Sequence, residues 1–363
     1  RAEILAIDLD SAVVRTRRVA WRSADPHIDL VGRFGGSALA VAIVAEDARS
    51  GCAIVPFVIA VGDAVRRGLP TAARACVASR APLNRRYADG HVGGRLGVQL
   101  AGHASALVLR GTIAVPDAVL VIDARGVARI EISPGIRGLE IPERSARLRR
   151  VFPGSALLVC GPAGDARVPF ASLANESVPP SFVGRGGMGA VLGELGLAAI
   201  VVESASFPRA SVHEGREDPP SSALLLESAR LRARALGGTF ESRGGDMPAD
   251  SGARKGCRGC PTPCGYVFER ATGAVGARQS AIEALAAPLG LTRFEDALTL
   301  LARCDALGVD AKEVGLALSL LVGSSETSIP LAGDLAALVR VLDDVPMRRG
   351  LGARIAGGSS ALA

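Results

Sequence analysis

Short apolar runs with little helical periodicity dominate the first 205 residues of the chain. The runs at 4–9, 53–61, 106–109 and 157–160 have the length and composition of buried strands. Residues 118–122 and 127–132 flank Asp123-Ala124-Arg125-Gly126, a turn sequence that predicts a β-hairpin. Within this half only residues 37–48 carry a regular helical pattern. The pattern turns polar over 204–222, where Pro208, Pro219 and Pro220 predict a boundary. Helical periodicity follows: residues 224–236 form one predicted helix, and a glycine-rich stretch leads from it to 256. Thr292-Arg293-Phe294-Glu295 reads as a capping box, opening a helix with Phe294, Leu298, Leu301 and Ala302 on one face. Gly308 is its predicted stop and Asp310 the N-cap of the next helix. The fold class expected is therefore α+β, with a β-rich domain over 1–205 and an α-helical domain over 206–363.

Composition limits the rest. With 363 residues, 48% of them hydrophobic, the chain can bury two or three sizeable cores. No apolar run reaches the length of a membrane span, and the N-terminus shows no charged-then-apolar leader, so a cytoplasmic protein without membrane attachment is expected. The net charge of +6 is distributed along the chain, in groups such as Arg15, Arg17 and Arg18 or Arg144, Arg147, Arg149 and Arg150. Aromatic residues make up 3%, too few for the stacking platforms of single-stranded nucleic-acid binders, and no nucleic-acid partner is expected. A basic surface of this kind is either simply solvated or suited to docking an acidic electron carrier.

Chemistry concentrates in Lys255-Gly256-Cys257-Arg258-Gly259-Cys260-Pro261-Thr262-Pro263-Cys264-Gly265. Three of the seven cysteines stand there at C-x2-C-x3-C spacing, and glycine and proline keep the segment out of regular structure. Thiolates around one focus are soft ligands for zinc or an iron-sulfur cluster. A structural zinc site would normally add a second cysteine or histidine pair nearby, which is absent, so Cys257, Cys260 and Cys264 fit a [4Fe-4S] cluster better. Upstream, Gly184-Arg185-Gly186-Gly187-Met188-Gly189 satisfies the dinucleotide fingerprint literally, with Glu203 about twenty residues on. Prolines precede it instead of a strand, and little chain is left for a crossover helix, which argues against a dinucleotide site. The loop can still bring backbone N–H groups, with Arg185, close to an anionic cofactor.

In order along the chain, Gly32-Arg33-Phe34-Gly35-Gly36, the 184–193 glycine loop, the cysteine loop and Cys304-Asp305-Ala306-Leu307-Gly308-Val309-Asp310 resemble the tungsten-dependent aldehyde ferredoxin oxidoreductase family, as a short form lacking the C-terminal domain. The resemblance implies paired sheets forming a base for a tungstopterin or molybdopterin, accompanied by magnesium. It implies a [4Fe-4S] cluster, and ferredoxin or another iron-sulfur carrier as electron acceptor. Carried onto this chain, Arg74, His91, Gly93, Gly184, Arg185, Gly186, Gly187 and Gly189 belong to the cofactor site, His91 standing where the family has asparagine. Asp305, Gly308, Val309 and Asp310 form the pterin-gripping motif, whose carboxylates can accept hydrogen bonds from the donor edge of a pterin ring. The bland alternative makes Asp310 an ordinary N-cap and Asp305 a surface residue.

The family's glutamate beside the metal aligns near Gln279-Ser280-Ala281, where no acid stands, and catalytic residues are left unassigned. The fourth cluster ligand is open between Cys304, a thiolate from another chain and a labile site. Three functions compete: oxidation of aldehydes to carboxylic acids, a non-catalytic or partner-dependent cluster- and pterin-binding subunit, with a second subunit or a homodimer, and a zinc-stabilised interaction protein.

Overall fold

The computed structural model describes residues 2–11, 13–50, 55–69, 72–205, 253–255, 265–271, 273–323 and 331–362. Two six-stranded mixed sheets form the N-terminal part. The first contains β1 (Ala2–Ser11), β2 (Val13–Trp21), β3 (Phe57–Val61), β4 (Ala75–Arg80), β5 (Tyr87–Val92) and β6 (Ala106–Ile113), in the order β2-β1-β6-β3-β4-β5. The second contains β7 (Ala118–Ile122), β8 (Ala128–Ile132), β9 (Ala156–Cys160), β10 (Leu173–Asn175), β11 (Phe182–Val183) and β12 (Leu197–Val202), in the order β11-β10-β9-β12-β7-β8. Each sheet has one parallel pair, β1 with β6 and β12 with β7. The expected hairpin is present as β7 and β8, with Val119 opposite Glu131.

Side-chain alternation assembles the layers. Leu5, Ile7, Phe57, Ile59, Leu107, Leu120, Leu158 and Ile200 come from both sheets and share one core, so the sheets face each other. Their neighbours in sequence point outward and are also buried. Val58, Ala60 and Cys76 pack with Leu39 and Ile43 of the Gly36–Arg49 helix, and Val119, Val121, Leu157 and Val201 pack with Ile141 and Leu148 of the Ile141–Val151 helix. Burial on both faces is why these strands read as continuous apolar runs rather than as alternating ones.

The second part packs Phe294–Leu307, Ala311–Gly323 and Leu335–Asp344 around Leu298, Leu301, Leu318, Leu338 and Leu342. It also holds a three-stranded sheet of β13 (Ala253–Lys255), β14 (Gly265–Phe268) and β15 (Val275–Ala277), which the sequence pattern does not predict because strands of three and four residues are too short to show a periodicity. The helices Leu96–His103 and Ile141–Val151 in the first part are likewise beyond the sequence expectation, whereas Met188–Glu194 is the helix expected after the glycine loop. Phe294–Leu307 starts one turn as predicted, but no side chain caps it: Arg293 occupies the N-cap in extended conformation, and Thr292 makes no capping bond. At its other end Gly308 is the expected left-handed C-cap, with φ 74°. Arg303 joins the two parts, donating to Glu140 beside the Ile141–Val151 helix and to Asp343 of Leu335–Asp344.

Candidate functional site

Where the two parts meet, a cavity of about 410 Å³ opens between the β4–β5 edge, the 172–185 segment, the three-stranded sheet and the corner between the Phe294–Leu307 and Ala311–Gly323 helices. Arg74 and His91 reach it from the first sheet, Gly184 and Arg185 from the glycine loop, and Asp305, Val309 and Asp310 from the corner. Residues far apart in sequence thus share one wall. Gly93, Gly186, Gly187, Gly189 and Gly308 do not line it. Gly93 accepts a hydrogen bond from Asn175 through its carbonyl (3.1 Å). Gly187, at φ 71°, lies so close to the Pro169 carbonyl that a Cβ there would approach it to 2.1 Å. These glycines let the loop press its backbone onto neighbouring segments, which holds Gly184 and Arg185 at the cavity.

The helix-loop-helix corner is built by short-range rules and then pinned from outside. The Gly308 N–H returns to the Cys304 carbonyl (2.9 Å), closing the helix end. Asp310 then starts the next helix, its Oδ1 accepting from the Lys312 N–H (3.0 Å). The intervening backbone pairs with the β-sheet part: Ser172 N–H donates to the Gly308 carbonyl (2.8 Å) and Asp310 N–H to the Phe170 carbonyl (3.0 Å). Asp310 is therefore an N-cap and a cavity residue at once, and Asp305 is a cavity residue only.

Electrostatics in the cavity are lopsided. Five cationic side chains, Arg74, Arg185, Lys255, Arg278 and Lys312, face three carboxyl groups, Asp89, Asp305 and Asp310. Burial pushes the Asp305 carboxyl well above the ordinary carboxylate range, although the residue keeps some surface toward the cavity. Burial also raises Asp310, opposed by the Lys312 N–H and by Arg185. Lys255 and Lys312 are lowered by burial, Lys312 further by Arg185. His91 is lowered by burial and then by Arg74. Lys255 spends its ammonium on the Val178 and Pro179 carbonyls, 2.8 Å each. Lys255, Arg278, Lys312, Ser172 and Asp89 are missed as site residues: Arg278 and Ser172 belong to no motif, and Lys255, Asp89 and Lys312 stand in or beside quoted stretches whose signal comes from other residues.

Two buried polar atoms in the wall have no hydrogen-bond partner, Arg74 Nε and Ser172 Oγ. Orphans of this kind next to a cavity mark groups that a bound molecule would satisfy. Cys304, the candidate fourth cluster ligand within the described residues, is fully buried in the helical core, and burial holds its thiol well above the usual range. Cys257, Cys260 and Cys264 lie outside the described residues.

A raised carboxyl makes a pH prediction. Between the ordinary carboxylate value and the raised one, the folded chain holds a proton that the unfolded chain has released, so stability falls as pH rises through that window. Thermal unfolding of the cofactor-free chain, followed over roughly pH 4 to 8, should show a shallower decline for Asp305→Asn, which cannot titrate, and a higher melting temperature at neutral pH. Equal slopes for the two proteins would contradict the assignment.

A sheet base facing a helical corner across a cationic cavity defines a protein suited to an anion that also offers hydrogen-bond donors. Residues 4–204 match the family model for the aldehyde ferredoxin oxidoreductase N-terminal domain, and residues 238–363 the model for domains 2 and 3. The chain belongs to the aldehyde ferredoxin oxidoreductase family. The tungsten-containing aldehyde ferredoxin oxidoreductase of Pyrococcus furiosus is 27% identical over 354 residues, covering 85% of this chain and 58% of the relative. Its namesake from Thermococcus kodakarensis is 25% identical over 295 residues, covering 71% of this chain and 48% of the relative. The chain thus spans about half the length of the curated relatives it matches. Among solved structures, the active site complex BamBC of benzoyl coenzyme A reductase, in complex with 1,5-dienoyl-CoA, shares the fold with a TM-score of 0.73 at 17% identity, covering all of this chain and 62% of that one. No helix among the described residues is long and apolar enough to cross a membrane.

Proposed function

We propose that this chain holds a tungsten or molybdenum pterin in the cavity and a [4Fe-4S] cluster on Cys257, Cys260 and Cys264, for oxidation of aldehydes with ferredoxin as electron acceptor. The observation that carries this reading is the convergence of Asp305 and Asp310 with Arg74 and Arg185 on one cavity. The wall suits the cofactor's chemistry. The two carboxyl groups can accept from a pterin's donor edge, the surplus of cations balances phosphate, and the orphaned Arg74 Nε and Ser172 Oγ supply further donors. Once bound, such centres supply two-electron oxidation of an aldehyde and single-electron transfer through the cluster. The chain's own share is placement: Asp305 and Asp310 orient the ring, Arg185 and Lys312 hold anionic charge, and Leu301, Phe182 and Tyr266 limit water. Residues 1–205 serve as the base in this reading and 206–363 as the helical part that closes the site. A reducing, cytoplasmic location and an accompanying magnesium ion belong to the same reading.

Metal analysis and absorption spectra of anaerobic protein produced with tungstate test it. Hydrogen bonds to charged groups contribute about 1.5–3 kcal/mol each, so Asp305→Asn with Asp310→Asn should lower tungsten content roughly tenfold or more and leave iron in place. Serine at Cys257, Cys260 or Cys264 should remove most of the iron and the broad visible absorbance. Unchanged tungsten in the double variant would remove the basis for the pterin site.

A partner-dependent subunit is favoured by one specific observation. Ser280 lines the cavity where the resemblance sets a glutamate, and the carboxyls there among the described residues are Asp89, Asp305 and Asp310. The solved structure of like fold is an active site complex, which supports the same form. In that form the loaded chain alone shows little oxidation in a viologen-coupled aldehyde assay, and robust turnover would rule it out.

A further inference from the structure

The β4–β5 hairpin carries a cluster of which the pterin reading uses His91 alone. Cys76 on β4 stands directly opposite His91 on β5, and Asp89 is two residues before His91, opposite Ala78. Side chains two apart on a strand share a face, and directly opposed residues do so across a pair, so this register turns all three side chains to one side of the sheet. That side is the one covered by the Gly36–Arg49 helix, since Cys76 packs with Leu39 and Ile43. The ligand atoms of Cys76, Asp89 and His91 lie within 4.8 Å of one another.

The surroundings are unlike those of a cysteine that merely fills a core. The Cys76 Sγ, 1% exposed, lies 3.5 Å from Asp89 Oδ2. Ser37 Oγ, at the start of the helix, is 2.8 Å from His91 Nε2. Among the described residues Asp89 makes no direct ion pair, so its carboxyl oxygens stand beside a thiol and an imidazole, with the cations of the cavity as more distant neighbours. A tetrahedral ion with ligands at about 2.0–2.3 Å keeps its donor atoms roughly 3.3–3.8 Å apart, close to the separation already present between Cys76 and Asp89.

We propose that Cys76, Asp89 and His91 form a separate metal site for one zinc-like divalent ion, with the Ser37 hydroxyl next to the fourth position. One sulfur, one nitrogen and one carboxylate oxygen make a borderline-soft set that selects zinc or cobalt over magnesium or calcium. The ion ties β4, β5 and the helix start together beside the cavity wall. Its occupancy sets the position of Asp89 and His91, both of which also border the cavity.

Cobalt(II) titration of the full chain under anaerobic conditions, read by the thiolate-to-cobalt charge-transfer band, tests the site. A variant with serine at Cys257, Cys260 and Cys264 should still bind one equivalent with a thiolate band, which separates this site from the cysteine loop. Adding Cys76→Ser should abolish the band, and adding His91→Ala should weaken binding about tenfold or more. A thiolate band that is absent from the triple variant, or that survives Cys76→Ser, overturns the proposal. Should Cys76→Ser not fold, His91→Ala and Asp89→Asn decide, and full affinity in both overturns it as well. Tungsten and pterin play no part in this readout, so it stands or falls apart from the proposed function.

Discussion

Arg144→Met should lower the free energy of unfolding by about 3–5 kcal/mol, the range for breaking a buried ion pair from one side. Arg144 is fully buried on the Ile141–Val151 helix. Its guanidinium is bridged to Asp165, with NH1 also 3.2 Å from Cys160 Sγ and 3.3 Å from the Ala198 carbonyl, while Nε has no partner. Methionine would fill the volume and leave the partly buried Asp165 carboxylate with Arg137, 3.7 Å away, as the remaining cation. That residual pairing puts the expected loss toward the lower end of the range. Urea denaturation measures it; a change below about 1 kcal/mol, the size of an exposed pair, would mean that Arg137 fully replaces Arg144. The consequence reaches the candidate site through Gly161, four residues before Asp165. A Cβ on Gly161 would come within 2.4 Å of the Leu307 carbonyl, so the Asp165 turn is in backbone contact with the corner that carries Asp305 and Asp310.

Gly308→Val is the second large effect, and it should damage stability and cofactor binding together. The residue has φ 74°, a conformation that disfavours any side chain by about 1–2 kcal/mol. A Cβ there would also lie 2.9 Å from Ile141 Cδ1 and 3.0 Å from the Gly161 nitrogen, an overpacking that adds about 1–3 kcal/mol. The corner would have to shift, pulling Asp305 and Asp310 out of register while their chemistry is intact. Gly323→Ala, at a position with none of the described residues within 4 Å of an added Cβ, is the control and should change little. Tungsten content that falls in Gly308→Val and not in Gly323→Ala would tie cofactor binding to the geometry of the corner. Equal stability of both variants would show that the left-handed cap is dispensable.

Motif reading found the ends of the site but not its wall. Gly308 and Asp310 were legible because a left-handed glycine cap followed by an aspartate N-cap is a local rule, satisfied within a few residues, whereas Asp305 entered only through the family resemblance. The hairpin at Asp123–Gly126 was legible for the same reason. Helices at 96–103 and 141–151 were not, since the first is two turns of mostly small or apolar residues and Ile141–Val151 is dominated by charge. His103 carries no sequence signal and is buried, its Nε2 2.7 Å from the Glu203 carbonyl. The glycine loop also divides. Its spacing suggested one cofactor cradle, whereas Gly184 and Arg185 border the cavity and Gly186, Gly187 and Gly189 serve backbone packing.

By itself the sequence determined the two-part α+β order, the strands buried on both faces, the hairpin turn and the capped corner, because each follows from side-chain period and from the backbone preferences of nearby residues. It also carried the collinear motifs by which family membership is legible. Tertiary structure alone decided that Arg74, Arg185, Lys255, Arg278 and Lys312 gather around Asp305 and Asp310, and that Cys76, Asp89 and His91 share one face. The physical reason is that these groups meet through strand register and the packing of the helical corner against the sheets, long-range contacts whose partners leave no mark on one another in the chain.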